Sequence, residues 1–246
     1  MKLNQFKTAM IISGLMVYTA YQSICSILGA YWGTKRHETD QRLQNWADRL
    51  LNQVQVHYKI INPHHAFPQP GKATIIMCNH SSAYDIPLSL KIFPKHSIRM
   101  LAKKELFNVP IFGKGMAAAE FPFINRKNRY EAIKDLARVK ELMLSGIVIW
   151  ISPEGTRSKD GSLGAFKKGG FITAIQSQAT IIPVGIRGAN NILPARSFNM
   201  HLHQKAEVHI GKPIDASKYS LENKEVLMAE VREAILNLMG NDVIST

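Results

Sequence analysis

From residue 73 onward the chain alternates short apolar runs with longer helical patterns. That alternation narrows the fold more than any other feature. Apolar runs at 73–78, 98–102, 121–124, 147–151, 180–186 and 205–210 have the length of strands, and stretches at 84–92, 110–118, 129–145, 169–178 and 221–239 have the length of helices. Strands alternating with helices pair as parallel neighbours, because each crossover helix packs back onto the sheet it leaves. The expected fold class is therefore α/β, a mostly parallel sheet flanked by helices. The last helix places Leu227, Val231, Ile235 and Leu238 on one face and offers Gly240 as its C-cap.

The part before this domain reads differently. Positions 8–32 contain no charged residue. At ~1.5 Å per residue a helix of that length exceeds a hydrocarbon core of ~30 Å. Lys2 and Lys7 flank one end, Lys35 and Arg36 the other, and Tyr18, Tyr21, Tyr31 and Trp32 suit an interface. Leu28-Gly29-Ala30 is a poor cleavage site, which argues against a removed signal peptide. Ser13, Thr19, Gln22, Ser23 and Ser26 dilute the apolar character. Whether the segment spans the bilayer or embeds in one leaflet stays open. A second, amphipathic helix follows, with Thr39 as N-cap, an apolar face of Leu43, Trp46, Ala47, Leu50, Leu51 and Val54, and Gln44, Asn45, Asp48, Arg49 and Asn52 opposite. The expected organisation is a membrane-associated helical pair over residues 1–60, then an α/β domain over 61–246, with prolines at 63, 68 and 70 marking the loop that joins them.

Charge narrows the partners. The 246 residues carry 31 Lys+Arg against 18 Asp+Glu, a net +13. Such an excess calls for an anionic partner: nucleic acid, phospholipid headgroups or phosphorylated metabolites. No nucleic-acid motif and no basic tract interleaved with aromatics is present, so nucleic acid is not expected. Residues 95–140 concentrate eleven Lys and Arg against four acids, a basic face suited to anionic lipid. Cys25 and Cys78 show no pairing pattern, as expected in a reducing compartment.

Chemistry enters at Asn79-His80-Ser81-Ser82-Ala83-Tyr84-Asp85, just after the apolar run that ends at Cys78. In one continuous helix a spacing of five separates side chains by about 140°. His80 and Asp85 can meet only if His80 precedes the helix that carries Asp85, with Ser81 or Ser82 as cap. Asp85 would then accept from Nδ1 and leave Nε2 free as a general base. No Gly-x-Ser-x-Gly elbow exists to supply an enzyme nucleophile; Asp160-Gly161-Ser162-Leu163-Gly164 has the wrong spacing. The nucleophile is better sought on the substrate, which makes the chemistry group transfer. His201, His203 and His209 alternate with apolar residues and read as outward-facing side chains of strands, and Cys78 reads as part of an apolar strand; no metal is expected.

Three further segments join the first: Phe123-Ile124-Asn125-Arg126, Ile151-Ser152-Pro153-Glu154-Gly155-Thr156-Arg157 and Ile182-Pro183-Val184. Together and in this order they resemble the four motifs of the glycerolipid acyltransferase family, with bacterial 1-acylglycerol-3-phosphate acyltransferases as the nearest likeness. The resemblance runs from about residue 73 to 213. One departure is Ser152, where the family often has Phe. The resemblance implies acyl transfer from acyl-CoA or acyl-carrier protein, used as substrate and not as cofactor, to a lysophospholipid hydroxyl. His80 and Asp85 would be catalytic. Arg126 and Arg157, with Glu154, Gly155 and Thr156, would bind the acceptor, and Lys103 is a further candidate for the phosphate or the oxyanion. Pro183 would shape a wall. The implied location is the cytoplasmic side of the inner membrane, with the lipid bilayer as partner. Other acceptors stay open: another lysophospholipid, a lyso-ornithine lipid or glycerol 3-phosphate. A non-enzymatic membrane-binding protein is the remaining alternative.

Overall fold

The computed structural model describes residues 2–240. Two helices lead the chain, α1 (Gln5–Tyr31) and α2 (Arg36–Gln53), followed by β1 (His57–Ile61), β2 (Thr74–Cys78), α3 (Asp85–Leu90), β3 (Ile98–Met100) and β4 (Ala102–Lys103). A 3₁₀ turn (Lys104–Asn108) leads to α4 (Phe112–Ala118), β5 (Phe123–Ile124), α5 (Arg129–Leu144), β6 (Val148–Ile151), α6 (Gly169–Gln176) and β7 (Thr180–Arg187). The chain ends with α7 (Ala189–Ile192), β8 (Lys205–Ile210), β9 (Ile214–Asp215) and α8 (Lys224–Met239).

The main sheet runs β1-β8-β7-β2-β6-β3, with β9 on β7. The pairs β1–β8, β7–β2, β2–β6 and β6–β3 are parallel; β7–β8 and β7–β9 are antiparallel. The mostly parallel α/β expectation is met. All five residues of β2 are buried, as in a strand covered on both faces. Their alternation splits the core: Ile76 and Cys78 join Leu51 of α2 and Leu88 of α3, whereas Ile75 and Met77 join Val139 of α5, Phe171 of α6 and Val231 of α8.

Several details depart from the sequence reading. Residues 57–61, not expected as a strand, pair with β8 at the sheet edge. The run at 98–102 divides: β3 belongs to the main sheet, while β4 turns away to pair with β5 as a two-stranded ribbon. Thr39 is not an N-cap, because α2 starts at Arg36 and buries Thr39 within its first turns. Gly240 does end α8, at φ +76°.

The helical pair is fastened to this domain. Arg99 of β3, completely buried, meets Asp40 of α2 at 2.8 Å. Ser97 Oγ donates to the other Asp40 oxygen at 2.6 Å. Arg36 forks onto Glu120 through two bonds of 2.7 Å. Leu3 N–H donates to Met200 O, which ties the start of α1 to the same body. α1 also crosses α4 closely. A Cβ on Gly115 would lie 2.4 Å from the Cβ of Ser23, so only glycine fits there.

Candidate active site

β2 ends at Cys78 and α3 begins at Asp85, so His80 lies in the intervening turn at the carboxyl edge of the sheet. That edge is where open α/β sheets receive ligands. His80 Nδ1 lies 2.8 Å from Asp85 Oδ2. The same oxygen accepts the Ser81 and Ser82 N–H groups at 2.7 and 2.8 Å. The aspartate carboxylate holds this turn, while Ser82 Oγ accepts Tyr84 N–H at 3.2 Å and Tyr84 itself stands at the N-cap of α3 without a side-chain bond. Asp85 is fully buried. A carboxylate oxygen only accepts, so the imidazole proton belongs on Nδ1 and Nε2 keeps its lone pair. Trp150 stands edge-on to the His80 ring, centroids 5.6 Å apart.

The backbone of His80 is held from both sides by the loop after β6. Its N–H donates to Glu154 Oε1 at 3.2 Å, and its C=O accepts Ser158 N–H at 2.7 Å. Glu154 Oε2 accepts Gly164 N–H at 2.8 Å. Burial pushes the Glu154 carboxyl above the usual carboxylate range, against the pull of those two amides. Asn79 completes the frame: its side chain donates to Ile186 O and accepts Ile186 N–H, stitching the end of β2 to β7. The braces Asn79, Glu154 and Ser158 were not read as such in the sequence. The only signal available was their adjacency to the motif residues.

A cavity of about 560 Å³ opens in front of His80. Its lining includes Lys103, Arg126, Gly155 and Arg157. The ribbon explains how Lys103 arrives: β4 pairs Lys103 with Ile124, two residues before Arg126. Arg126 Nη1 donates to Gly155 O, and Gly155 holds φ +74°, a left-handed conformation that glycine adopts without strain. Desolvation by the surrounding walls draws the Arg126 guanidinium below its usual pKa. Neighbouring charges pair off as Lys104–Glu131 and Lys127–Glu105, leaving Lys103 and Arg157 without an ion-pair partner among the described residues. The rest of the lining is mainly apolar: Leu43, Trp46 and Leu50 of α2, Ile86 and Leu90 of α3, and Met116 of α4. Ser152, the departure noted in the sequence, also lines it.

Six of the eight residues singled out in the sequence therefore converge: His80, Asp85, Lys103, Arg126, Gly155 and Arg157. Glu154 and Thr156 do not line the cavity; Glu154 is turned to the His80 backbone and Thr156 is exposed. Pro183 is not a wall either. It is buried in β7 opposite Met77, and its C=O accepts Gly211 N–H. Burial, with Asp85 and Glu154 nearby, pushes the Cys78 thiol far up, so it offers no thiolate to the base. Among the described residues no group of three or more His, Cys, Asp or Glu side chains has the arrangement of a metal site.

Known proteins resemble this chain in sequence and in fold. The family model described as Acyltransferase matches residues 41–187, which include all eight residues. A chloroplast 1-acyl-sn-glycerol-3-phosphate acyltransferase of Arabidopsis thaliana is 33% identical over 172 residues, 70% of this chain and 46% of that one. The alpha 1-acyl-sn-glycerol-3-phosphate acyltransferase of Mus musculus is 27% identical over 175 residues, 71% and 61% of the two chains. The chain spans about half the length of the plant relatives it matches. In fold it resembles the crystal structure of PlsC, the 1-acyl-sn-glycerophosphate (LPA) acyltransferase of Thermotoga maritima, with a TM-score of 0.73 over 95% of both chains and 21% identity. With the family match extending over more than half of its residues, the chain belongs to the acyltransferase family.

Proposed function

We propose that this protein transfers a fatty acyl group from acyl-CoA or acyl-carrier protein to the free hydroxyl of 1-acylglycerol 3-phosphate, giving phosphatidic acid. One observation carries the reading: a single cavity holds an oriented imidazole, unpaired cations beside it and long apolar walls. Its volume lies within the ~300–1,000 Å³ usual for ligand sites. The cations suit a phosphate, the walls suit an acyl chain, and the imidazole suits a hydroxyl nucleophile.

In the proposed reaction His80 Nε2 takes the proton of the acceptor hydroxyl as its oxygen attacks the thioester carbonyl. The new C–O bond forms, the C–S bond breaks, and the imidazolium returns the proton to the departing sulfur. Asp85 holds the ring and steadies its charge without taking the proton. No acyl-enzyme forms. Arg157, Arg126 and Lys103 grip the acceptor phosphate; guanidinium forks match its oxygens in pairs.

The bilayer is the proposed partner of α1. Met10, Met16, Val17, Ile24, Leu28 and Trp32 are exposed, whereas Thr19, Gln22, Ser23 and Ser26 face the cavity. The apolar side of this helix therefore points away from the protein. α1 is tied to the α/β body at Leu3 and packs on α4 further along, which supports the reading that it lies in one leaflet instead of crossing. The proposed location of the active site, carried by the family resemblance, is the cytoplasmic surface of the inner membrane.

An acceptor panel tests the reaction. Purified protein is given labelled acyl-CoA or acyl-carrier protein with 1-acylglycerol 3-phosphate, other lysophospholipids, lyso-ornithine lipid or glycerol 3-phosphate, and products are read by mass. The expected product is phosphatidic acid. Acylation of another acceptor alone reassigns the substrate, and acylation of none removes the enzyme reading.

A further inference from the structure

Between β4 and α4 the chain runs Leu106-Phe107-Asn108-Val109-Pro110-Ile111, and four large apolar side chains of this stretch are exposed: Leu106 37%, Phe107 45%, Val109 42% and Ile111 43%. An exposed run of this density is unfavourable in water unless it has a partner. The segment is also built to hold its shape. Val109 N–H bonds Leu106 O, Gly113 N–H bonds Val109 O, and Phe107 packs edge-on to Phe123 at 5.5 Å. Gly113 lies so close to the Phe107 carbonyl that no side chain fits there. Ile111 sits at φ +63°, a conformation a β-branched residue avoids.

Three placements identify the partner. Lys103, Lys104 and Lys114 flank the run and are exposed, the pattern of a segment that meets anionic headgroups with its cations and acyl chains with its apolar tips. α4, which follows directly, is packed against α1, so the run lies beside the helix whose exposed side is apolar. Lys103 and Leu106 belong to the lining of the catalytic cavity, so the run stands at its mouth.

We propose that residues 106–111 form a second membrane-inserting element, a rigid wedge that enters the leaflet beside the cavity mouth and lets a bilayer-embedded acceptor pass into the site without first crossing water. The partner is the lipid surface itself. This rests on the acyltransferase reading above.

The test compares one acceptor chemistry in two physical states. Wild type and a Phe107→Gln/Val109→Ser/Ile111→Asn variant are given acyl-CoA with long-chain 1-acylglycerol 3-phosphate in vesicles of equimolar phosphatidylcholine and phosphatidylglycerol, or with a short-chain analogue dissolved as monomer. Sedimentation with the same vesicles is measured alongside. The expected result is a loss of about tenfold or more on the vesicle acceptor, since interfacial binding scales with buried apolar area, with the monomer rate unchanged. Vesicle and monomer rates that stay equal to wild type, or fall together, overturn the wedge. If wild type acylates neither acceptor, the acyltransferase reading fails by itself. Sedimentation then decides the wedge: weaker binding of the variant supports it and unchanged binding overturns it.

Discussion

His80 is gripped at four points: its ring by Asp85 and Trp150, its amide by Glu154, its carbonyl by Ser158. Each grip has a different kinetic signature. His80→Ala removes the base, and the expected loss in kcat is on the order of 10²–10⁴-fold, read in folded protein that still binds membrane. Near-wild-type turnover would exclude His80 as base. Glu154→Gln places an NH2 where one of two acceptors stood, so one backbone N–H meets a donor. The expected result is a fall in kcat of roughly tenfold to a hundredfold from misplacement of the imidazole, with acceptor KM held. A rise in KM alone would instead assign Glu154 to the acceptor. Arg126→Ala should act the other way, raising acceptor KM and lowering kcat/KM for phosphate-bearing acceptors while hydrolysis-free donor binding persists; unchanged values for both parameters would clear Arg126 of phosphate binding. At this scale the pairing of His80 with Asp85 was legible because the two can meet only when His80 precedes the helix, and the motif resemblance favoured that geometry. The direction of Glu154 was not. Its carboxylate bonds backbone amides at His80 and Gly164, and backbone partners leave no trace in side-chain chemistry.

The elements that shape the cavity are held by charge more than by sequence order. α2 supplies Leu43, Trp46 and Leu50 to the wall, and its seat is the buried contact between Asp40 and Arg99. Burial lowers the Arg99 pKa, and Asp40 opposes that shift. Asp40→Asn leaves a buried cation without its counter-charge, and the expected destabilisation is about 3 kcal/mol, measured by denaturant titration. Replacing both partners, as Asp40→Leu/Arg99→Met, should recover most of it, because a buried pair exchanged for apolar groups is often neutral. Failure of the double variant to recover would mean the cost lies elsewhere. The helices α2, α5 and α8 were legible from their periodicity, and β2, β6 and β7 from their continuous apolar runs. β1 was not: His57-Tyr58-Lys59-Ile60-Ile61 is largely exposed at the sheet edge, and an edge strand lacks the two-sided burial that marks a central one. The ribbon β4–β5 was hidden for a related reason. Both runs read as strands, but nothing in their apolar pattern shows that the end of the first leaves the main sheet to pair with the second about twenty residues on, the pairing that carries Lys103 to Arg126.

In the whole molecule the helical pair and the α/β body form one enclosure, with α1 as both outer skin and inner wall. The sequence presented these as two regions, because the uncharged stretch and the alternating stretch have different compositions. It could not show that the hydroxyl-bearing side of α1 turns inward. One fastening has a further consequence. The backbone bond from Leu3 to Met200 joins positions at nearly opposite ends of the chain. Long-range contacts form late, since the intervening chain must first be ordered. During synthesis α1 therefore leaves the ribosome well before its anchor at Met200 exists. On the proposed membrane role of α1, the apolar helix shelters in the bilayer surface during that interval. Ribosome-stalled chains that end before residue 195 should already be vesicle-bound, with α1 open to protease on its polar side, and protection of that side should appear only when stalls lie far enough downstream for Met200 to clear the exit tunnel. Protection of α1 in the shorter chains would show that the helix docks without this bond. Protection confined to the longer chains would make the order of assembly membrane first, enclosure second, with the lipid surface as the template on which the catalytic chamber closes.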